Sequence, residues 1–257
     1  MIAEIKKEID QLESQYNIKI LYAVESGSRA WGFASTNSDW DVRYIYIHPL
    51  EWYLKIDDKK DSQEKILDND IDLAGWELRK ALRLFRKSNP PMLEWLHSPI
   101  IYKETYTTAE RLRELEKQFF NPKSCLHHYL HMAEGNYEQY LLGEQVRVKK
   151  YFYVLRPLLA CDWIREHNTM APTEFRPLLD RYVTDSQVKE TIETLLVRKM
   201  SGEELSTEPA NPVLQQYLEE KLAFYKEFVK DIAPQKPAST ALLDKLFMDT
   251  LAEVWNK

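Results

Sequence analysis

Two aspartates one residue apart, Asp39 and Asp41, stand in "SDWDVRYIYI" at the head of a run rich in β-branched and aromatic residues. In an extended chain residues i and i+2 share a face, with Cα atoms ~6.6 Å apart from a rise of ~3.3 Å per residue. Two carboxylates that close repel one another when ionised unless a cation lies between them. Mg²⁺ suits that place, because it takes oxygen ligands and binds through one or two carboxylates together with substrate phosphates. A third carboxylate from another strand would complete a two-metal site, with ions ~3.5–4 Å apart, for an in-line displacement at phosphorus. The stretch "DID" supplies candidates: Asp70 and Asp72 share a face, and Asp72 lies between Ile71 and Leu73 as an inward-pointing acid on a central strand would.

A phosphate-bearing substrate also needs donors. Gly27-Ser28 ends the β-rich stretch "IKILYAVE" and opens the short segment "SRAWGF". Glycine lets backbone approach a phosphate closely, amides at a helix start donate to it, and Ser28 adds a hydroxyl. Gly32 permits a second close approach or a turn.

The elements that must position these groups follow from periodicity. Ile5, Ile9 and Leu12 form the i, i+4, i+7 stripe of a surface helix over residues 3–16. Residues 18–25 and 40–48 read as strands; in the second, Val42, Tyr44 and Tyr46 face one way and Asp41, Arg43, Ile45 and Ile47 the other. "ILDNDIDL" (66–73) reads as a third strand and "PIIY" (99–102) as another. Between them "WELRKALRLFRKS" turns helical, with Leu78, Leu82 and Phe85 on one side, and "NPPMLEWLHS" opens a short helix on prolines suited to a first turn. From about Thr105 onward nearly every segment has 3- and 4-residue apolar spacing, broken by Pro, Gly or Asn. "EELSTEPANP" (203–212) reads as a linker, and two last helices flank "APQKPAST". The expectation is an α+β protein: a small mixed sheet flanked by helices over residues 1–103, then an all-helical domain over 104–257.

Composition bounds the class. With 257 residues, 44% hydrophobic and 30% charged, the chain can bury a real core and is neither disordered nor membrane-spanning. The N-terminal stretch is charged and has no apolar secretory core, and Cys125 and Cys161 stand in no metal-type spacing, so a reducing, cytoplasmic setting is expected. A net charge of −6 argues against affinity built on wholesale phosphate neutralisation, so any nucleic-acid contact must be local.

The order Gly-Ser, ten residues, Asp-x-Asp, then an apolar-Asp-apolar strand resembles the DNA polymerase β nucleotidyltransferase superfamily. The phrases "GSRAWGFASTNSDWDVRYIYIHPLEWYL" and "GWELRKALRLFRKSNPPMLEWLHSPIIY" are similar to one branch of it, the predicted nucleotidyltransferases related to the polymerase-β-like protein of bacterial RNA-repair operons. The resemblance implies two Mg²⁺ ions and transfer of a nucleoside monophosphate from an NTP to a hydroxyl, with pyrophosphate leaving. It implies that Gly27 and Ser28 bind the triphosphate and Asp39 and Asp41 bind both metals. Asp72 would hold the catalytic metal and help deprotonate the attacking hydroxyl, in competition with Asp68 and Asp70. Related enzymes close the cleft with cations from a helical domain, and Lys149, Lys150, Tyr153 and Arg156 are the candidates here, with Lys149, Tyr153 and Arg156 at i, i+4, i+7. The same positions also describe a solvated basic face.

The acceptor stays open between a nucleic-acid 3′ end and a protein or small molecule, beside a non-catalytic nucleotide-binding module on the same fold. Other groups carry weaker readings. Arg29 and Arg43 flank the aspartates, and Arg43 can pair with a nearby acid. "ELRKALRLFRKSN" is basic enough to track a phosphate backbone but also suits an ordinary helix surface. His127 and His131 have metal-type helical spacing without a completing ligand, and Trp31, Trp40, Trp76 and Trp95 gather in sequence around the motif.

Overall fold

The stripe of Ile5, Ile9 and Leu12 has a partner in the computed structural model, which describes residues 1–57, 59–203, 205–233 and 238–255. All three side chains of helix α1 (Ile2–Tyr16) are buried. They pack on Val42, Tyr44, Tyr46, Ile71 and Leu73 of the sheet. Burying each contributes roughly 1.5–3 kcal/mol. Asn17 ends α1 in the left-handed region, φ 49°, with its N–H on the Glu13 carbonyl.

The sheet comprises β1 (Lys19–Glu25), β2 (Trp40–Ile47), β3 (Ser62–Ile66), β4 (Ile71–Glu77) and β5 (Ile101–Glu104), in the order β3-β4-β2-β1-β5. β1 runs antiparallel to β2 and β5, β3 antiparallel to β4, and β2 parallel to β4. The parallel pairing follows from the hairpin inserted between β2 and β4. Gly75 is required here: a Cβ on it would lie 2.2 Å from the Tyr44 ring, its neighbour across β2 and β4.

The stretch 66–73 is not one strand, as its alternating pattern suggested. It holds the end of β3, a turn with Asp70 at φ 61°, and the start of β4. The other helices of this part are α2 (Gly27–Ala30), α3 (Leu50–Tyr53), α4 (Leu78–Arg86), α5 (Pro90–Leu96) and α6 (Thr108–Phe119). Glu77 caps α4 by accepting from the Arg79 amide, and Asn89 caps α5 by accepting from the Met92 amide. The later helices are α7 (Pro122–Tyr140), α8 (Lys150–His167), α9 (Phe175–Tyr182), α10 (Ser186–Met200), α11 (Pro212–Asp231) and α12 (Ala241–Trp255).

Contacts divide the chain into two compact units. The first comprises Met1–Ala30, Asp39–Phe120 and Pro237–Lys257; the second comprises Trp31–Ser38 and Asn121–Lys236. The first unit thus reaches beyond residue 103 to take in α6, and it recovers α12 from the far end of the chain. Arg111 reaches Asp249 at 2.7 Å, and the Thr107 hydroxyl donates to Glu253 at 2.8 Å.

The second unit takes residues 31–38, where Phe33 packs among Phe152 and Phe175 and the Trp31 carbonyl accepts from the Phe175 amide. It is helical but not wholly so: β6 (Gln145–Arg147) pairs antiparallel with β7 (Thr207–Pro209). The supposed linker 203–212 therefore carries a strand, and Glu204 within it lies outside the described residues. Of "APQKPAST", residues 234–237 also lie outside them. Cys125 and Cys161 are buried as thiols.

Candidate active site

Residues far apart in sequence meet because β2 and β4 are parallel and in register. Asp41 stands directly beside Asp72, as Val42 does beside Leu73. The alternation that buries Val42, Tyr44, Ile71 and Leu73 beneath α1 turns Asp41, Arg43 and Asp72 to the opposite face. The Arg43 side chain lies across both acids. Its Nη2 donates to Asp41 Oδ1 and to Asp72 Oδ2, each at 2.9 Å, and its Nη1 donates to the carbonyls of Asp72 at 2.9 Å and Val42 at 3.2 Å. One positively charged nitrogen thus bridges two carboxylates. Burial raises the Asp41 pKa, Arg43 pulls it down, and the charges of Asp72 and Asp39 raise it again.

Asp41 is held on two further sides. Its amide donates to Glu25 Oε1 at 2.9 Å, and its carbonyl accepts from the Ser26 amide at 2.8 Å. Gly27, at φ +57°, lies so close that a Cβ would sit 2.1 Å from Asp41 Oδ2. The Gly-Ser turn therefore has a steric reason: glycine leaves the space that the aspartate fills. Ser28 follows in α2, partly exposed.

The other predicted acids separate. Asp39 precedes β2 and is exposed; its carbonyl accepts from Arg29 Nε at 3.0 Å, while the Arg29 guanidinium lies 3.7 Å from the centre of the Trp40 ring. Asp70 lies in the left-handed turn, where its carbonyl accepts from the Trp40 amide, and Asp68 is exposed in the same turn. Of the three competitors only Asp72 lies beside Asp41.

Among the described residues no group of three or more histidines, cysteines, aspartates and glutamates converges as a ready-made metal cage, the His127–His131 pair included. The donor chemistry nevertheless fits a hard divalent cation. Asp41 and Asp72 already share one cationic nitrogen, and Mg²⁺ ordinarily takes one or two carboxylates and completes its shell with substrate phosphates and water.

Two buried acids and bases carry information that the sequence reading lacked. Glu25 is fully buried, accepts from the Asp41 amide and from the Tyr102 hydroxyl, and is pushed up by burial to about 7. A lone acid ending the apolar strand "KILYAVE" was the available signal. In the second unit Lys199 is 6% exposed and lies over the Phe33 ring; burial and the charge of Lys149 lower its pKa. Nothing local in "VRKMSG" marked it.

The predicted basic set of that unit splits. Lys149 is exposed, and Lys150 lies over the Tyr140 and Tyr153 rings at 4.3 and 4.6 Å. Burial, with Lys149 and Arg147 nearby, lowers the Lys150 pKa. Arg156 is not on an open face: it is 2% exposed, donates to the Thr173 carbonyl through Nε and Nη2, and lies over Trp31. The four tryptophans do not form one cluster. Trp76 stacks on Trp95, Trp40 meets Arg29, and Trp31 belongs to the second unit.

Residues 1–249 match the model of RlaP, the RNA repair pathway DNA polymerase beta family. The chain belongs to this family. The resemblance read from residues 20–103 therefore extends over residues 1–249, and it brings with it a polymerase-β-like nucleotidyltransferase class and an RNA-repair context. The chain is 47% identical over 255 residues to the uncharacterized protein YcgL of Bacillus subtilis (strain 168), covering 99% of this chain and 98% of YcgL. A solved nucleotidyltransferase-like protein from Exiguobacterium sibiricum 255-15 is 12% identical, with a TM-score of 0.31 over 97% of this chain and 80% of that one. No helix among the described residues is long and apolar enough to cross a membrane.

Proposed function

We propose that this RlaP-family chain is a Mg²⁺-dependent nucleotidyltransferase that moves a nucleoside monophosphate from an NTP to a hydroxyl, including a nucleic-acid 3′ end. The observation that carries this reading is the in-register pair Asp41–Asp72 clasped by a single cationic nitrogen. A site that already shares one positive charge between two carboxylates is prepared to exchange it for a divalent ion.

In this reading Asp39 and Asp41 would hold both ions, and Asp72 the catalytic one. Bound Mg²⁺ supplies neutralisation of the triphosphate and activation of the attacking hydroxyl. Asp72 accepts the proton of that hydroxyl. Gly27 and Ser28 receive the triphosphate, with Gly27 also leaving room for the Asp41 carboxylate. Glu25 fixes Asp41 through its amide. Within the helical unit, Lys149, Lys150 and Tyr153 form a cationic set of their own, suited to phosphate oxygens. Arg156 serves that unit's packing instead.

Labelled NTPs incubated with Mg²⁺ and a panel of RNA, DNA, protein and small-molecule acceptors test the proposal. Label should pass to an acceptor, and Asp41→Asn and Asp72→Asn should each abolish transfer while the protein still unfolds cooperatively. An Asp72→Asn variant with near-full activity would defeat the assignment. One observation favours a second reading: the Arg43 clasp can equally be a permanent substitute for the metal in a non-catalytic nucleotide-binding module. In that case Mg²⁺ would not compete with Arg43.

A further inference from the structure

The molecule neutralises most of its arginines. Arg111 meets Asp249, Arg113 meets Glu104, Arg176 meets Glu193, Arg181 meets Glu166, and Arg198 meets Glu203 and Glu208. In a chain with 41 acidic and 35 basic residues that is the expected outcome. α4 is different. Arg83 and Arg86 are exposed, and no carboxylate among the described residues pairs with either. They line a groove of about 320 Å³ between α4 and α12 with Arg79 and Lys87 on the same wall. Its floor is apolar, formed by Leu82, Leu243 and the ring of Phe247.

We propose that this groove binds the phosphodiester backbone of a single-stranded nucleic acid and so presents the acceptor; the inference rests on the nucleotidyl-transfer reading for its purpose. Arg79, Arg83 and Arg86 follow i, i+4, i+7 on one helix face. Seven residues at a rise of ~1.5 Å make a row ~10 Å long, enough to follow a short stretch of phosphodiester backbone. Guanidinium groups suit phosphate oxygens through paired N–H donors.

An apolar, aromatic floor beneath a cationic wall is the general form of a single-strand site, where bases stack while the wall follows the backbone. The Tyr53 ring meets Phe247 edge-on at 5.0 Å, with the Arg79 guanidinium 4.6 Å from its centre. Asp244 is the one carboxylate in the lining. Its carboxylate can accept from the exocyclic amino group of a base. Groove and acid pair lie in the same unit, and β4 leads into α4 within six residues of Asp72. The contact is local, which reconciles a net charge of −6 with a nucleic-acid partner.

The test is fluorescence anisotropy of labelled 12-nucleotide RNA and DNA strands, without NTP or divalent cation, across a salt series. Wild type is compared with Arg83→Gln/Arg86→Gln and with Lys6→Gln/Lys7→Gln, an exposed pair on α1. Each phosphate contact to a single strand adds ~0.7 to the log–log salt slope. Loss of two should flatten the slope by ~1.4 and weaken binding about 25-fold at 0.1 M salt, with the α1 control within twofold. Should the double variant unfold, the single variants carry the test at about fivefold each.

Binding of RNA, DNA or both with this loss supports the proposal. Absence of wild-type binding at 50 mM salt, or a double variant equal to wild type, overturns it. Displacement by polyglutamate as effective as by an oligonucleotide of equal charge also overturns it, assigning the groove to an acidic peptide. Nucleotide transfer to a small acceptor without strand binding defeats the groove alone. Strand binding that depends on Arg83 and Arg86 without any transfer defeats the transfer reading alone.

Discussion

Replacing Arg43 with Gln removes the positive charge between Asp41 and Asp72 and leaves two adjacent carboxylates facing each other. At an effective dielectric of ~20 a charge pair 4 Å apart is worth ~4 kcal/mol gross. The Arg43 side chain is 18% exposed and those of Asp41 and Asp72 are 29% and 36% exposed. Exposed pairs return ~0.2–1 kcal/mol, while stripping the partner from a buried charge costs ~3–5 kcal/mol. A site between these limits should lose ~2 kcal/mol. In a chain of this length that lowers Tm by ~4–8 °C in EDTA. If the acids form a cation site, Mg²⁺ at ten times its Kd returns ~1.4 kcal/mol, or ~3–5 °C. The double variant Asp41→Asn/Arg43→Gln, with one negative charge left, should be less destabilised and nearly indifferent to Mg²⁺. Thermal unfolding followed by circular dichroism, in EDTA and in MgCl₂, reads all of these. Arg43→Gln as stable as wild type in EDTA would refute the reasoning, and a variant equally unstable with and without Mg²⁺ would favour the non-catalytic module.

Gly27→Ala should lose transfer and at least ~1–2 kcal/mol of stability in urea titrations, because φ is +57° and the new Cβ would displace the Asp41 carboxylate. Glu25, raised to about 7, keeps in the folded state a proton that the unfolded chain releases above its ordinary value of 4.5. Its contribution therefore makes stability fall as pH rises from about 4.5 to 7, by ~3 kcal/mol at ~1.36 kcal/mol per pH unit. Urea unfolding across that window should show Glu25→Gln lacking this fall relative to wild type. Arg156→Leu should cost ~2–4 kcal/mol by the urea midpoint, since it removes two charged donors from the buried Thr173 carbonyl. An unchanged midpoint with weakened NTP binding would instead make Arg156 a phosphate ligand.

Much of the architecture was readable because it is encoded over a few neighbouring residues. The 3.6-residue period of Ile5, Ile9 and Leu12 and the two-residue period of Val42, Tyr44 and Tyr46 each name a buried face, and those faces meet in one core. The caps at Asn89 and the Pro90-Pro91 start were likewise local. The hairpin at residues 67–70 was misread because the acid–apolar alternation of "ILDNDIDL" continues through a turn that only the positive φ of Asp70 reveals. The short β6 and β7 are three residues each, too brief for any period, and they exist through pairing across some sixty residues.

The sequence by itself determined the chemistry on offer: carboxylates at 39, 41 and 72 and a glycine before a serine at a strand end. Tertiary structure decided which of them meet. The parallel register of β2 and β4 sets Asp41 beside Asp72, leaves Asp39 and Asp70 outside the strands, and lays Arg43 across the pair. Register is a property of two strands about thirty residues apart, fixed by the burial of both their inner faces, so no local pattern states it. The same holds for α12 joining the first unit and residues 31–38 joining the second. Each is a long-range packing choice whose apolar surface, taken alone, does not name its partner.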